Sequence, residues 1–242
     1  MVYNFTLENG RGTKLYRNDE SPLTIELSVE NDFIKKALSS SLMIIGTLIS
    51  PIDHLGIVIT AQKMKVEVPG NQEFMIINLY NIPISLSFSK EVDKLQILYD
   101  PYLYEKNTQP DYDPEEFRKI HPVPDGFIDT LPKWYSVKFT YPDYNLIFVR
   151  PGLGISIQTH MLREEHWEVV EGSPIIIFDH NVIYNTPVGK KIAIPFGAMH
   201  TVINPNIEKD DWVLIKESYK GHFDEEDIVR VFNPNNYFSK NK

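Results

Sequence analysis

Short runs of alternating apolar and polar residues, closed by turn residues, recur along most of the chain. A period of two is typical of β-strands with one buried face, and no strand–helix–strand rhythm indicates a parallel sheet. The sequence therefore predicts an all-β protein. The expected strands span residues 24–28, 43–49, 56–60, 63–68, 74–79, 82–88, 154–160, 165–170, 175–178, 181–185, 191–194, 201–204 and 212–217, with one short helix at 30–39.

A proline-rich stretch separates the two groups of strands. Eight of the 17 prolines fall between residues 100 and 151, where Tyr and Asp are interleaved with them. Prolines break strand ladders and aromatic residues favour packing, so a packed loop is expected here. We place the domain boundary inside it, between residues 1–125 and 126–242. The first domain is predicted to be a β-sandwich or distorted barrel, and the second an antiparallel barrel or jelly roll, because its strands are separated by hairpin-sized gaps.

Composition excludes several classes of protein. Lys plus Arg number 24 against 33 Asp plus Glu, a net charge of −9, and nucleic-acid binding depends on basic residues, so no nucleic-acid partner is expected. The absence of cysteine excludes disulfides, thiolate zinc sites and cysteine nucleophiles. The most apolar window, 41–60, contains Pro51 and Asp53 at its middle, which a membrane span would tolerate poorly. With no secretory pattern at the amino terminus, we expect a cytoplasmic protein without a membrane partner.

One region has the residue types and the spacing of a metal site. Gln158 and His160 share one face of a predicted strand, and a turn after them brings Glu165 towards the same interior. A second turn at 195–197 places His200 at the start of a later strand. Two imidazoles, a carboxylate and an amide oxygen suit a divalent transition metal with one position open for water or substrate.

The same residues form two motifs that resemble those of the cupins. The first motif is matched, with a shortened gap before the Glu, by Gly154, His160, Glu165 and Gly172. The second is matched at every fixed position by Gly189, Pro195, Gly197, His200 and Asn204. This resemblance implies that the second domain is a cupin, a jelly-roll barrel.

Residues 130–234 resemble one cupin type more closely, the cupin domain of type II mannose-6-phosphate isomerases, which also ends bifunctional mannose-1-phosphate guanylyltransferases. In related isomerases a Gln-x-His pair, a Glu and a later His hold the metal, and these map onto Gln158, His160, Glu165 and His200. The implied cofactor is a divalent metal, either Zn or one of Mn, Co and Fe. The chain departs from the family at Met161 and Leu162, where further histidines are usual.

The resemblance implies aldose–ketose isomerisation of a phosphorylated hexose, mannose 6-phosphate being the substrate of the family. Arg163 and Arg230 are the candidate catalytic and substrate-binding residues, because a guanidinium offers phosphate and sugar hydroxyls a planar fork of donors. Moving a proton between C1 and C2 also needs a base, for which Glu164 and the acidic run 224–227 are candidates.

A second hypothesis is a non-catalytic cupin scaffold, since a fold does not determine a function. The replaced histidines and the unfamiliar first domain also suit a carbohydrate-binding module or a structural protein, such as a viral capsid or appendage component located in the virion. Under either hypothesis, exposed sheet edges favour a homo-oligomer or a larger assembly.

The first domain carries its own, fainter resemblance. Residues 65–70, 74–84 and 95–98 are similar to the β-fold of dUTPase and dCTP deaminase, but the catalytic Ser, Asp and Tyr motifs of that family are not found. The resemblance therefore bears on the fold of this domain and assigns it no activity.

Overall fold

The structure is a computed structural model, described here over residues 3–28, 42–46, 63–79, 82–208, 210–222, 224 and 226–236. It is nearly all β, as the sequence predicts. The chain forms two compact units, one of Met1–Pro101 with Asp179–Val182 and one of Tyr102–Phe178 with Ile183–Lys242. The expected helix at 30–39 and the expected strand residues 47–49 and 56–60 lie outside the described residues.

Two four-stranded antiparallel sheets make up the described part of the first unit. Their strands are β1 (Tyr3–Leu7), β2 (Leu15–Arg17), β3 (Leu23–Ser28), β4 (Leu42–Ile45), β5 (Lys63–Val68), β6 (Glu73–Asn78), β7 (Ile84–Phe88) and β8 (Gln96–Tyr99). The strand orders are β1-β7-β3-β5 and β4-β6-β2-β8. Both sheets contribute to one buried apolar cluster, with Ile25 and Leu86 from the first and Phe74 from the second. Two sheets packed over a shared core form a β-sandwich, one of the two architectures predicted.

The second unit also consists of two antiparallel sheets around one core. Its strands are β9 (Asp129–Lys133), β10 (Ser136–Thr140), β11 (Asn145–Val149), β12 (Ile157–Thr159), β13 (Arg163–Glu171), β14 (Ile175–Phe178), β16 (Lys191–Ile194), β17 (His200–Ile203), β18 (Val213–Gly221) and β19 (Val229–Phe232), whereas most of β15 (Asn181–Ile183) belongs to the segment grouped with the first unit. The orders are β16-β13-β18-β11-β10-β9 and β14-β17-β12-β19. Trp167 and Ile215 of the larger sheet and Val202 of the smaller share one buried cluster. The predicted jelly-roll barrel is confirmed.

The proline-rich stretch is more regular than predicted, and the expected loop is wrong for much of residues 100–151. This stretch contains α1 (Pro114–Ile120) and strands β9 to β11. Pro114 occupies the first turn of α1, Pro142 lies in the turn between β10 and β11, and Pro132 lies in β9 at the edge of its sheet. These are the positions at which a missing N–H is tolerated. The chain divides after Pro101, and the domain boundary at 125/126 stays a prediction.

Helix α1 covers the face of the six-stranded sheet that points away from the barrel core. Asp113 caps the helix, because its carboxylate accepts the backbone N–H groups of Glu115 and Glu116 at 2.8 and 3.1 Å. Phe117 is buried in a second apolar cluster, its ring 5.1 Å from that of Phe148 between centroids. Within the described ranges, no helix has the length and the apolar character needed to cross a membrane.

Three glycines of the motifs, Gly172, Gly189 and Gly197, have left-handed backbone, and the first two differ in their surroundings. Gly172 has φ +82° and Gly189 has φ +83°. A Cβ at Gly172 would lie 2.8 Å from Val213 Cγ2, whereas a Cβ at Gly189 would meet no atom within 4 Å. The conformation therefore favours glycine at both positions, but space restricts the side chain only at Gly172.

This difference predicts unequal effects of alanine. Gly172→Ala should lower the free energy of unfolding by about 2–5 kcal/mol, combining about 1–2 kcal/mol for the left-handed backbone with about 1–3 kcal/mol for crowding. Gly189→Ala should lower it by about 1–2 kcal/mol, because it lacks the crowding. All 3 tryptophans lie in the second unit, so urea unfolding followed by their fluorescence measures both values. Equal losses in the two variants would contradict the assignment.

Candidate metal centre

Three strands of the second unit bring the predicted donor residues to one place. Gln158 in β12 lies directly opposite His200, the first residue of β17. His160 follows the end of β12, and Glu165 lies in β13. Gly197, in the turn before β17, donates its backbone N–H to the carbonyl of His160 at 2.7 Å. This hydrogen bond joins the segment carrying the first motif to the segment carrying the second.

Burial along β13 alternates as the sequence predicts. Glu165 and Trp167 point inward, each 1% exposed, and Arg163 shares their face. His166 has the opposite parity, and its Nε2 lies 2.7 Å from Oε1 of Glu164. Glu164, one of the two candidates for the base, therefore points away from the inward-facing donors.

His160, Glu165 and His200 form a buried group that could hold a metal ion, with their ligand atoms all within 4.8 Å of one another. Nε2 of His160 lies 3.2 Å from Oε1 of Glu165, and Nε2 of His200 lies 3.2 Å from Oε2. Burial alone would raise the pKa of Glu165, but its contacts with His200, His160 and Arg163 outweigh burial and lower the pKa to about 2. The carboxyl is therefore ionised at neutral pH.

Main-chain carbonyls set the orientation of both imidazoles. Nδ1 of His200 lies 3.0 Å from the carbonyl oxygen of Ala198, and Nδ1 of His160 contacts the carbonyl oxygen of Asp227. A carbonyl only accepts, so Nδ1 is the donor in each contact, which leaves Nε2 as the atom that faces Glu165 and would bind a metal. Burial lowers the pKa of His160, which favours its neutral form.

One nitrogen of this group is left without a hydrogen bond. Nε2 of His200 is buried and unpaired among the described residues, although it lies 3.2 Å from Oε2 of Glu165. A buried lone pair facing a carboxylate is unfavourable unless a cation lies between them. The two imidazole nitrogens and the carboxylate therefore fit a divalent transition metal.

Gln158 lies beside this group with its amide nitrogen turned towards it. Its Nε2 is 3.4 Å from Nε2 of His160, and its Oε1 accepts a hydrogen bond from Ser156 Oγ at 3.0 Å. A metal would require the amide oxygen, which a 180° rotation of the amide would supply. That Gln158 is a ligand stays a prediction.

Arg163 lies inside the group, a placement that the sequence does not predict. Its Nε donates to Oε1 of Glu165 at 2.9 Å, and its Nη2 donates to Nε2 of His160 at 2.9 Å. Its Nη1 donates to the carbonyl oxygen of Asp224 at 3.1 Å. The guanidinium is thus engaged by the donor residues themselves, and its role as a phosphate-binding group stays a prediction.

Arg230 occupies a different position. It lies in β19, directly paired with Gln158, and it is exposed. Side chains of directly paired residues leave a sheet on the same face, so the pairing puts Arg230 on the face of Gln158. Its role in binding substrate also stays a prediction.

Asp227, in the acidic run considered as a source of the base, holds the loop after β12. Its carboxylate accepts the backbone N–H groups of Met161 and Leu162 at 3.0 and 2.8 Å, and its carbonyl accepts from His160. These contacts give Asp227 a positioning role for His160. The sequence signal for it is only the acidic run itself.

A second interior carboxyl, that of Glu217, is not predicted from the sequence. It lies opposite Trp167 in the pairing of β13 with β18, and Trp167 Nε1 donates to Glu165 Oε2 at 3.1 Å and to Glu217 Oε2 at 3.2 Å. Burial, together with the charge of Glu165, raises the pKa of Glu217 to about 7. The period of two could have revealed it, because Glu217 lies two residues after Ile215 and therefore on the same buried face of β18.

The raised pKa of Glu217 predicts a pH-dependent stability of the metal-free protein. The pKa of this carboxyl is 4.5 in the unfolded chain and about 7 in the folded protein. Between these values the native state holds a proton that the unfolded state has lost, so the free energy of unfolding falls as pH rises through this window. Glu217→Gln should flatten that fall, measured by urea unfolding in a chelator at pH 4.5 to 8.

Glu168→Gln, on the outward face of β13, is the matched control for this measurement and should keep the wild-type dependence on pH. A Glu217→Gln variant whose stability falls with pH as steeply as that of the wild type would contradict the assignment.

Comparison with known proteins supports the identification of this unit. Residues 134–233 match the family model described as mannose-6-phosphate isomerase C-terminal. Over 84 residues the chain is 34% identical to a mannose-1-phosphate guanylyltransferase of Escherichia coli strain K12, covering 35% of this chain and 17% of that protein. Over 86 residues it is 36% identical to a putative mannose-1-phosphate guanylyltransferase of Vibrio cholerae, covering 36% of this chain and 18% of that protein.

Among solved structures, the chain is similar to a cupin-superfamily sugar phosphate isomerase from Silicibacter pomeroyi, with 19% identity and a TM-score of 0.31 over 36% of this chain and 60% of that one.

The second unit therefore resembles the cupins in sequence as well as in its jelly-roll fold. More particularly, the predicted resemblance of residues 130–234 to the cupin domain of mannose-6-phosphate isomerases and mannose-1-phosphate guanylyltransferases is confirmed. The matched segment spans less than a fifth of the length of these two curated relatives.

Proposed function

We propose that the second unit is a metal-dependent aldose–ketose isomerase acting on a phosphorylated hexose such as mannose 6-phosphate. The observation that carries the proposal is the buried group of His160, Glu165 and His200, whose ligand atoms all lie within 4.8 Å of one another. The match of residues 134–233 to a mannose-6-phosphate isomerase model supports the choice of reaction and substrate class.

Nε2 of His160, Nε2 of His200 and the carboxylate of Glu165 would hold the ion, with the oxygen of Gln158 as a fourth ligand after rotation of its amide. When bound there, a divalent metal would polarise the sugar carbonyl and stabilise negative charge on its oxygen. The carbonyls of Ala198 and Asp227 keep both rings oriented for this task.

The protein also has to bind the phosphorylated end of the sugar. Arg230 is exposed and is paired with Gln158 between strands, and its guanidinium would hold the phosphate. Isomerisation moves a proton from C2 to C1 through an enediol. By holding the phosphate, Arg230 would fix the orientation of these two carbons relative to the metal ligands.

Loss of one ligand tests the metal and the activity together. His200→Ala should weaken zinc or manganese binding by about 100-fold or more, because even loss of a group that only orients a ligand weakens binding by about 10–100-fold. Metal content after dialysis and a coupled assay for conversion of mannose 6-phosphate to fructose 6-phosphate measure both effects. Activity should disappear in the variant and in chelator-treated wild type.

His166→Ala is the matched control, because His166 lies on the outward face of β13. It should retain both metal and turnover. Wild-type protein that binds no divalent metal and does not convert mannose 6-phosphate would overturn the proposal.

Arg230 should affect the substrate and leave the metal in place. Removing a charge-assisted contact with phosphate typically costs about 1.5–3 kcal/mol, so Arg230→Ala should raise KM for mannose 6-phosphate by about 10–100-fold. Metal content should equal that of the wild type. The proposed contact is wrong if KM is unchanged, or if the variant loses metal along with activity.

A non-catalytic carbohydrate-binding scaffold is the second candidate, and the position of Arg163 favours it. A guanidinium that already donates to Glu165 and His160 can balance the buried carboxylate without an ion. A protein that binds a hexose but remains metal-free and inactive would support this candidate over the isomerase.

A further inference from the structure

We infer that Arg163 and the metal ion compete for the same donor atoms, so that Arg163 sets the metal affinity of the site. This inference rests on the proposed metal centre. The guanidinium donates from Nε to Oε1 of Glu165 and from Nη2 to Nε2 of His160, each at 2.9 Å. These two acceptor atoms are 3.2 Å apart, a spacing that suits neighbouring donors of one planar fork.

The competition follows from the lone pairs of His160. With Nδ1 bound to the carbonyl of Asp227, the neutral ring has a single lone pair, at Nε2. That pair accepts the Nη2–H of Arg163, and it is also the pair that a metal would need. One lone pair cannot serve both, so a metal at His160 requires that Nη2 move away.

The two cations also share a counter-charge. Glu165 is 1% exposed and Arg163 is 7% exposed, so the guanidinium is the positive charge that balances the carboxylate in the metal-free protein. A divalent ion placed beside it would be repelled by the guanidinium while it occupied the same carboxylate. Arg163 therefore stabilises the metal-free state and weakens metal binding.

His200 is not part of this competition. Its Nε2 makes no hydrogen bond among the described residues and lies 3.2 Å from the other carboxylate oxygen of Glu165, Oε2. The site thus has one half filled by Arg163 and one half with an unpaired nitrogen. His200 could bind a metal without any change at Arg163, whereas His160 could bind one only if Arg163 left it.

Displacement of the guanidinium would also affect the segment 224–227. Nη1 of Arg163 donates to the carbonyl of Asp224, and the backbone N–H of Asp227 donates to the same carbonyl at 3.2 Å. Since Asp227 holds His160, metal loading and the conformation of this segment are coupled. By reciprocity, whatever holds Arg163 away from His160 strengthens metal binding.

Zinc titration of the whole chain in competition with a chromogenic chelator tests the inference. Arg163→Met should bind zinc about 10–100-fold more tightly than the wild type, the range expected for removing a competing charge-assisted hydrogen bond. Arg118→Met, in helix α1 on the sheet face that points away from the barrel core, is the matched control and should bind zinc with wild-type affinity. Equal or weaker binding by Arg163→Met, with zinc binding retained in the wild type, overturns the inference and leaves the metal centre intact.

A second measurement uses the wild-type protein and does not require that the Arg163→Met variant fold. In wild-type protein, the guanidinium proton resonances of Arg163, assigned through Arg163→Lys, should shift and exchange faster with solvent when one equivalent of zinc is added. Unchanged resonances in the zinc-loaded protein overturn the competition. Failure of the wild type and all variants to bind zinc overturns the metal centre and this inference together.

Discussion

A carboxylate enclosed in a β-barrel needs positive charge or hydrogen-bond donors around it, and the arrangement around Glu165 follows from that need. Glu165 is 1% exposed, and each of its oxygens is contacted from more than one side. Oε1 accepts from Arg163 and lies beside His160, whereas Oε2 accepts from Trp167 and lies beside His200. Two imidazoles, a guanidinium and an indole therefore meet at a single side chain.

The remainder of the barrel holds these groups in place. Strand pairing fixes Gln158 opposite His200, and the carbonyls of Ala198 and Asp227 orient the two rings. The same contacts that prepare the rings for a metal leave the Nε2 lone pair of His160 to Arg163 when no metal is bound. A single constellation thus explains both the isomerase proposal and the metal-free alternative, and the balance between them depends on which cation Glu165 accepts.

The sequence predicts the strands best where alternation is uninterrupted. Strands 63–68, 175–178 and 191–194 agree with the structure to the residue. Residues 129–149 are missed as strands, because proline density signals a loop, whereas the prolines lie at an edge strand and in turns. Those errors arise because local composition does not show which side of a strand is paired.

The candidate metal ligands are also predictable from local sequence pattern, and only in part. Motif spacing and parity bring His160, Glu165 and His200 together, but they assign no hydrogen-bond partners. The capture of Arg163 by this group and the role of Glu217 depend on three-dimensional packing. The most direct test is diffraction from zinc-soaked crystals at the zinc absorption edge. The account predicts an anomalous peak about 2.0–2.2 Å from both imidazole Nε2 atoms and the Glu165 carboxylate, with Arg163 no longer bound to His160. No peak, and an intact Arg163–His160 contact, would contradict it.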